Sequence, residues 1–260
     1  GGVFTATKGL SDKFGNGRVF NSPLAESSTN LQVESSIDFS IILPMRNESK
    51  NVERKLSEVI QEILLDDRVS IVVIDSASSD GTGQMAEDFL SSSTLDRDRW
   101  SVITSKIPGK SRAINAGISS SEATHFIMMD ADSIVEPGWL NIFHSVFSDS
   151  EIGSVSGIET IPSKDGWRGH YRTNSNRIRL MESRLGTTTV LEGGLIAWKS
   201  EITTSIPLVE DSNGDDSQLA LNSIRLGHKS IVFEELKFLS IIPYSELISL
   251  ICELIFVMLF

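Results

Sequence analysis

Residues 125–132 read HFIMMDAD. An apolar run suited to a buried strand passes directly into two carboxylates, Asp130 and Asp132, two positions apart. In open α/β sheets ligands sit at the carboxyl ends of strands. Two carboxylates there can hold a hard divalent cation, with phosphate oxygens completing its shell. The plainer alternative is a strand end followed by an Asp-rich turn.

Upstream, Phe39–Leu43 (FSIIL) is a short apolar run that Pro44 is expected to stop, and Ser70–Asp75 (SIVVID) is a second. Between them Val52, Leu56, Val59, Ile60, Ile63 and Leu64 recur at helical spacing. Helices are expected over Gly81–Leu90 and Ala113–Ile118, with a third strand at Ser101–Thr104. Strands alternating with helices imply βαβ crossovers, hence a mostly parallel sheet with helices on both faces. Downstream, Trp167–Leu185 predicts a basic helix carrying Arg168, Arg172, Arg177, Arg179 and Arg184. Its arginines are either a solvated face or contacts for a phosphate on a ligand. Asp215–Leu226 predicts a helix that begins with two carboxylates, favourable at the positive end of its dipole.

Composition narrows the function classes. The chain has 260 residues, 40% of them hydrophobic and 22% charged, which is globular usage. Lys and Arg number 23 against 35 Asp and Glu, a net charge of −12. That argues against nonspecific nucleic-acid binding. An anionic ligand would need a local cluster of donors or a metal. One cysteine, Cys252, excludes a disulfide scaffold, and no Cys/His cluster has zinc-site spacing. Residues 1–20 lack the apolar core of a signal peptide. A cytoplasmic protein is expected.

Other polar groups fall at other strand ends. Pro44, Asn47 and Glu48 follow the first strand, in PMRNE. Asp75 opens DSASSDGT after the second and can accept hydrogen bonds from a base edge; Asp80 or Ser79 is the better candidate for capping the next helix. GKSRAINAG (109–117) offers Lys110 or Arg112 to neutralise a diphosphate.

ILPMRNE, VIDSASSDGT, GKSRAINAG and MMDADSIVEPGWL, in this order, resemble the nucleotide-sugar-binding half of family 2 glycosyltransferases, which have the GT-A fold. The family shows a P-x-x-N-E turn, a V-D-D-x-S-x-D-x-T strand end, a K-x-x-A-L-N-x-G helix and a D-x-D. Ser76 departs from this pattern, standing where the family often has Asp. The resemblance implies donor contacts at Pro44, Asn47, Glu48, Asp75, Lys110, Asn115 and Asp130, with Mg²⁺ or Mn²⁺ on Asp130 and Asp132. Further on, LEGGLIA (191–197) is similar to the family's Gly-rich acceptor-side loop, which makes Glu192, Gly193 and Gly194 binding candidates. GDDSQLAL (214–221) is similar to its E-D-x-x-L motif. By that match Asp216 is the general base of an inverting transfer, and Asp215 the neighbouring carboxylate. The implied donor is a UDP-sugar and the implied acceptor a hydroxyl of a glycan or a lipid-linked glycan.

The two ends read differently. Residues 1–36 are expected to be a stub and linker, 37–238 the GT-A domain, and 239–260 an apolar segment that could lie on the cytoplasmic face of a membrane. GGVFTATKGLSDKFGNGRVFNSPLAES (1–27) is similar to a piece of the β subunit of thiamine-diphosphate-dependent 2-oxo acid dehydrogenases. A dehydrogenase component is therefore an alternative of another class. A glycosyltransferase-like domain without activity is a third reading.

Overall fold

The apolar run at Phe39 forms β1 (Phe39–Met45), which continues past the expected stop at Pro44. The reason is local. β1 is paired with β4 only as far as Ile42, opposite Met128. Pro44 therefore sits where the strand keeps one partner, and a missing N–H is tolerated at such edge-like positions.

The computed structural model describes residues 38–160, 166–212 and 214–241. The stub 1–36, with its thiamine-enzyme resemblance, and residues 242–260 of the apolar segment lie outside them. Among the described residues, no helix is long and apolar enough to cross a membrane.

The order after β1 is α1 (Val52–Ile63), β2 (Val69–Ser76), α2 (Thr82–Ser92), β3 (Trp100–Ser105), α3 (Lys110–Ser119) and β4 (His125–Met129). Then come β5 (Ser133–Val135), α4 (Trp139–Phe147), β6 (Ile152–Glu159), α5 (Gly166–Leu185), β7 (Leu195–Lys199), α6 (Ser200–Ser205), α7 (Asp215–Arg225) and β8 (Lys229–Ser240). Val52, Leu56, Val59, Ile60 and Ile63 of α1 are buried, as their spacing predicts. Leu64, placed on the same face by sequence, lies one residue past the helix and is exposed.

The eight strands form one sheet in the order β3-β2-β1-β4-β7-β6-β8-β5. The first four pair in parallel through βαβ crossovers. β7 runs antiparallel to both β4 and β6, β8 is parallel to β6, and β5 is antiparallel to β8. Strand residues alternate between two apolar layers. Ile41, Leu43, Ile71, Val73, Ile127 and Met129 face α1, α2 and α4. Ile42, Val72, Ile74, Phe126, Met128 and Trp198 face α3 and α7. Both faces are thus covered, as near-continuous apolar strands require.

Register fixes where the polar groups meet. Met45 lies opposite Asp75, and Ile42 opposite Met128, so the carboxyl ends of β1, β2 and β4 lie along one edge, with β4 stopping short of β1. The antiparallel strand β7 begins at that same edge, Leu195 opposite Met129. The turns after β1, β2 and β4 and the loop before β7 therefore share one edge of the sheet.

At the opposite end of β4, His125 packs between Phe39 and Phe147, with ring centroids 5.5 and 4.6 Å away. Its Nε2 is buried without a hydrogen-bond partner. Burial, then the cations Lys199 and His144, push its pKa down to about 4 from 6.5. The folded protein thus resists a proton that the unfolded chain accepts. Stability from this site is complete above about pH 6.5 and is lost progressively as pH falls toward 4, up to about 3 kcal/mol. His125→Phe keeps the shape and removes the titration. In urea unfolding, its stability relative to wild type should rise between pH 6.5 and 4; a constant difference refutes the assignment.

Candidate active site

The site is organised around Lys110, the first residue of α3. Its Nζ lies 2.7 Å from Asp130 Oδ1 and 3.6 Å from Asp215 Oδ2. Burial works against the ammonium charge, but Asp130, Asp215 and Asp216 outweigh it and raise the pKa. A Cβ added to Gly193 would stand 3.6 Å from the same Nζ, so the glycine loop borders this cation. Residues far apart in sequence, Lys110, Asp130, Gly193 and Asp215, therefore meet at the sheet edge.

Asp130 follows β4 and its N–H donates to the Gly194 carbonyl at 3.4 Å. Ala131 is buried in the apolar layer that also takes Met129. Asp130 and Asp132, on either side of Ala131, remain partly exposed. Burial raises the Asp132 pKa, and the carboxylates of Asp130 and Glu48 add to the shift. Negative charge is therefore gathered here, with Lys110 as the cation in contact. Among the described residues, no group of three or more His, Cys, Asp or Glu side chains forms a metal site by itself. Two carboxylates, Asp130 and Asp132, would by themselves be an incomplete set of oxygen ligands for a cation.

At the start of α7, Asp215 is buried, and burial raises its pKa, with Lys110 working in the opposite direction. Its Oδ2 has no hydrogen-bond partner. Asp216 is only half-buried, and its Oδ1 accepts from the Ser217 N–H at 2.6 Å. The loop before α7 is strapped to α3 at three points. Ser111 Oγ donates to Ser212 O (2.8 Å), Arg112 Nε to Glu210 Oε2 (2.7 Å), and Asn115 Nδ2 to Leu208 O (2.8 Å).

The turns after β1 and β2 are laced to each other. Asn47 holds a positive φ of 56°. Its Oδ1 accepts from the Ser79 N–H, and its own N–H donates to Ser78 Oγ. The Glu48 carboxylate accepts from Asn51 Nδ2 at 2.7 Å. Asp80 accepts from the N–H and hydroxyl of Thr82, the first residue of α2, but the N-cap position itself is taken by Gly81 rather than by Asp80 or Ser79. The Thr82 hydroxyl hydrogen bond, opposed by burial and helped by Ser49, brings the Asp80 pKa to about 2. Asp75 is buried and accepts from the Ser78 N–H at 3.0 Å. Its Oδ2 lies 2.6 Å from where a Cβ on Gly83 would be, so α2 can start this close only with glycine there. Ser76, the departure from the resembled motif, ties the end of β2 to the start of α3, because its Oγ accepts from the Gly109 N–H at 3.1 Å.

Several candidates are engaged in ways sequence does not indicate. The Asn115 amide is taken up by the Leu208 backbone, whose N–H it also accepts. Pro44 lies within β1. Gly194, expected to let a sugar approach, instead gives its space to the Phe238 ring, which leaves no room for a Cβ. Glu192 is buried and ion-pairs with both Arg172 and Arg179. Burial raises its pKa, and the two arginines partly offset that. Arg172 also reaches Glu159 at 2.6 Å. Two of the five α5 arginines are thus engaged by buried carboxylates, though each keeps some exposure. Beside Glu159 a groove runs between α5 and the sheet, lined by Ile158, Thr160, Asn176, Arg177, Leu180 and Met181 among others.

Two residues that the motifs do not include stand behind the aspartates. Arg54 donates to Ala131 O (2.6 Å) and Ser133 O (3.0 Å). Lys55, fully buried, donates to Ser133 Oγ (3.1 Å) and Glu58 Oε1 (3.0 Å). The sequence does carry a signal for one of them. Lys55 lies three residues after Val52 and four before Val59, on the face that is otherwise apolar.

Comparison with known proteins bears on the family and the fold. A family model described as "Glycosyl transferase family 2" matches residues 40–203. Glycosyltransferase AglE of Haloferax volcanii is 28% identical over 118 residues, covering 45% of this chain and 38% of that protein. The mannosyltransferase PcManGT from Pyrobaculum calidifontis, solved with GDP-Man and Mn²⁺, superposes with a TM-score of 0.68 at 23% identity, over 82% of this chain and 61% of that one. Staphylococcus aureus TarS 1–349 with UDP-GlcNAc superposes at 0.61 with 14% identity, over 80% and 60%. The chain spans 28–38% of the length of the curated relatives it matches.

Proposed function

Because the chain belongs to glycosyl transferase family 2, we propose that it transfers a sugar from a nucleotide-sugar donor, a UDP-sugar, to a hydroxyl of a glycan or lipid-linked acceptor with inversion. The observation that carries this reading is the meeting of Lys110 with Asp130 and Asp215 at the carboxyl-end edge of the parallel strands. Nucleotides bind at such edges in open sheets.

The donor's base lies against Asp75, and its diphosphate reaches Lys110 and the D-A-D turn. Lys110 is the residue that lets an acidic chain accept an anionic donor. Asp130 and Asp132 are suited to Mg²⁺ or Mn²⁺: they are partly exposed carboxylates, and together with Glu48 they gather more negative charge than Lys110 alone balances. When bound, the metal would neutralise charge developing on the leaving diphosphate.

Asp216 takes the proton from the attacking acceptor hydroxyl. It is accessible, whereas Asp215 is buried against Lys110. Gly193, beside Lys110, leaves room for the transferring sugar. The groove beside Glu159 mixes apolar, amide and cationic groups, which suits an amphiphilic acceptor. Arg172 connects Glu159 to Glu192 and so to the glycine loop.

Calorimetry with a panel of nucleotide sugars tests this. UDP-sugars should bind more tightly with Mn²⁺ than with EDTA, and Asp132→Ala should remove the gain. Preference for GDP-sugars would overturn the donor assignment, and affinity indifferent to Mn²⁺ would overturn the metal. Failure of every nucleotide sugar to bind would overturn the activity itself.

A further inference from the structure

The D-A-D turn is clasped along its backbone. Four consecutive carbonyls, from residues 130 to 133, all have hydrogen-bond partners, three of them from outside the turn. Asp130 O accepts from Ser133 Oγ (2.8 Å) and Ala131 O from Arg54 Nη2 (2.6 Å). Asp132 O accepts from the Ile241 N–H (2.8 Å) and Ser133 O from Arg54 Nη1 (3.0 Å). Apart from the Ile241 N–H, the groups that hold them lead back to one turn of α1. Lys55 Nζ donates to Ser133 Oγ, which in turn donates to Asp130 O. Glu58 Oε1 accepts from Lys55 and also from the Val135 N–H at 3.2 Å, while Glu58 Oε2 accepts from Arg54.

We propose that Arg54, Lys55 and Glu58 of α1 are positioning residues that set the spacing and direction of Asp130 and Asp132 toward a divalent cation. This inference rests on the metal reading given above. Two observations favour positioning over plain packing. A fully buried lysine is destabilising, and burial indeed lowers its pKa against the pull of Glu58; a Met or Leu there would fill an apolar helix face without that penalty. And Arg54 and Lys55 direct their donors to the backbone and hydroxyl of residues 131–133, in addition to Glu58. Groups that stand behind metal ligands fix ligand orientation, and their loss weakens metal affinity 10–100-fold.

The test uses the full chain and two variants. Ser133→Ala removes only the hydroxyl that links Lys55 to Asp130 O, and Lys55→Met removes the charge with similar bulk. UDP affinity is measured with Mn²⁺ and with EDTA. Both variants should lose roughly tenfold in the Mn²⁺-supported affinity, with little change in EDTA. Equal losses in the two conditions, or none in either, overturn the proposal, since plain loss of packing does not distinguish them. If Lys55→Met does not fold, Ser133→Ala decides. Backbone hydrogen exchange over residues 130–135 gives a second readout independent of any ligand. Faster exchange in Ser133→Ala supports the brace and unchanged exchange overturns it. If wild type gains nothing from Mn²⁺, the metal reading fails, and this exchange alone judges whether α1 holds the turn.

Discussion

Asp216→Asn is expected to lower transfer by ~10²–10⁴-fold while leaving UDP affinity nearly unchanged. Asparagine keeps the size and polarity of the side chain, and its amide oxygen can still accept from the Ser217 N–H. What it cannot do is take the acceptor's proton. In the proposed function nucleotide binding falls to Asp75, Lys110 and the D-A-D turn, which the substitution leaves in place. Single-turnover transfer measured beside UDP calorimetry separates the two effects. A variant that keeps full turnover would move the role to Asp215, whose buried Oδ2 lacks a hydrogen bond and whose pKa is raised by burial.

The second large effect is on stability. Glu192→Ala should lower it by about 2–3 kcal/mol, a thermal midpoint drop of roughly 5–10 °C for a domain of this size. Breaking a buried ion pair by removing one partner strands the other charge, and Glu192 has two partners. Arg172 keeps Glu159, but Arg179, mostly buried, is left with no carboxylate partner among the described residues. The figure is reduced from the fully buried case because both arginines retain some exposure. Differential scanning calorimetry measures it. A midpoint unchanged from wild type would mean that water serves these arginines as well as Glu192 does.

How much of this is legible in the sequence follows from where pattern and packing agree. The parallel half announces itself because its strands are apolar on both faces, and runs such as SIVVID and HFIMM bear little else. The motifs at their ends are legible for the same reason: each begins where an apolar run stops. β6 gives no such signal. Its sequence, IGSVSGIE, is almost wholly buried yet built from small residues. Gly153 faces His228 and Gly157 faces the Leu236 carbonyl, each with no room for a Cβ. Ser154 joins Ser230 and Ser223 in a buried set of hydroxyls. Close packing, rather than hydrophobicity, selects those residues, and a pattern of apolar positions cannot register that. The candidate site is legible at Lys110, Asp130 and Asp215 through their motifs, though not that one ammonium joins the two carboxylates. Glu192 stands out in the sequence, but as part of a loop open to sugar. Its burial depends on arginines of α5 that lie 13 and 20 residues away in sequence.

The strap between α3 and the loop before α7 bears on how such a protein could be re-engineered. Ser111 and Asn115 are one helical turn apart on α3, Arg112 is beside them, and all three hold segment 208–212. In the proposed function the same helix presents Lys110 to the donor, while the strapped loop delivers Asp215 and Asp216, the proposed base among them, to the acceptor. Cation and base therefore travel as one rigid cassette. A graft that exchanges the acceptor-side loop for a relative's, in search of a new acceptor, would have to carry residues 111, 112 and 115 with it. Swapped alone, the loop would arrive without its anchors, and the carboxylates at the head of α7 would lose their alignment with Lys110.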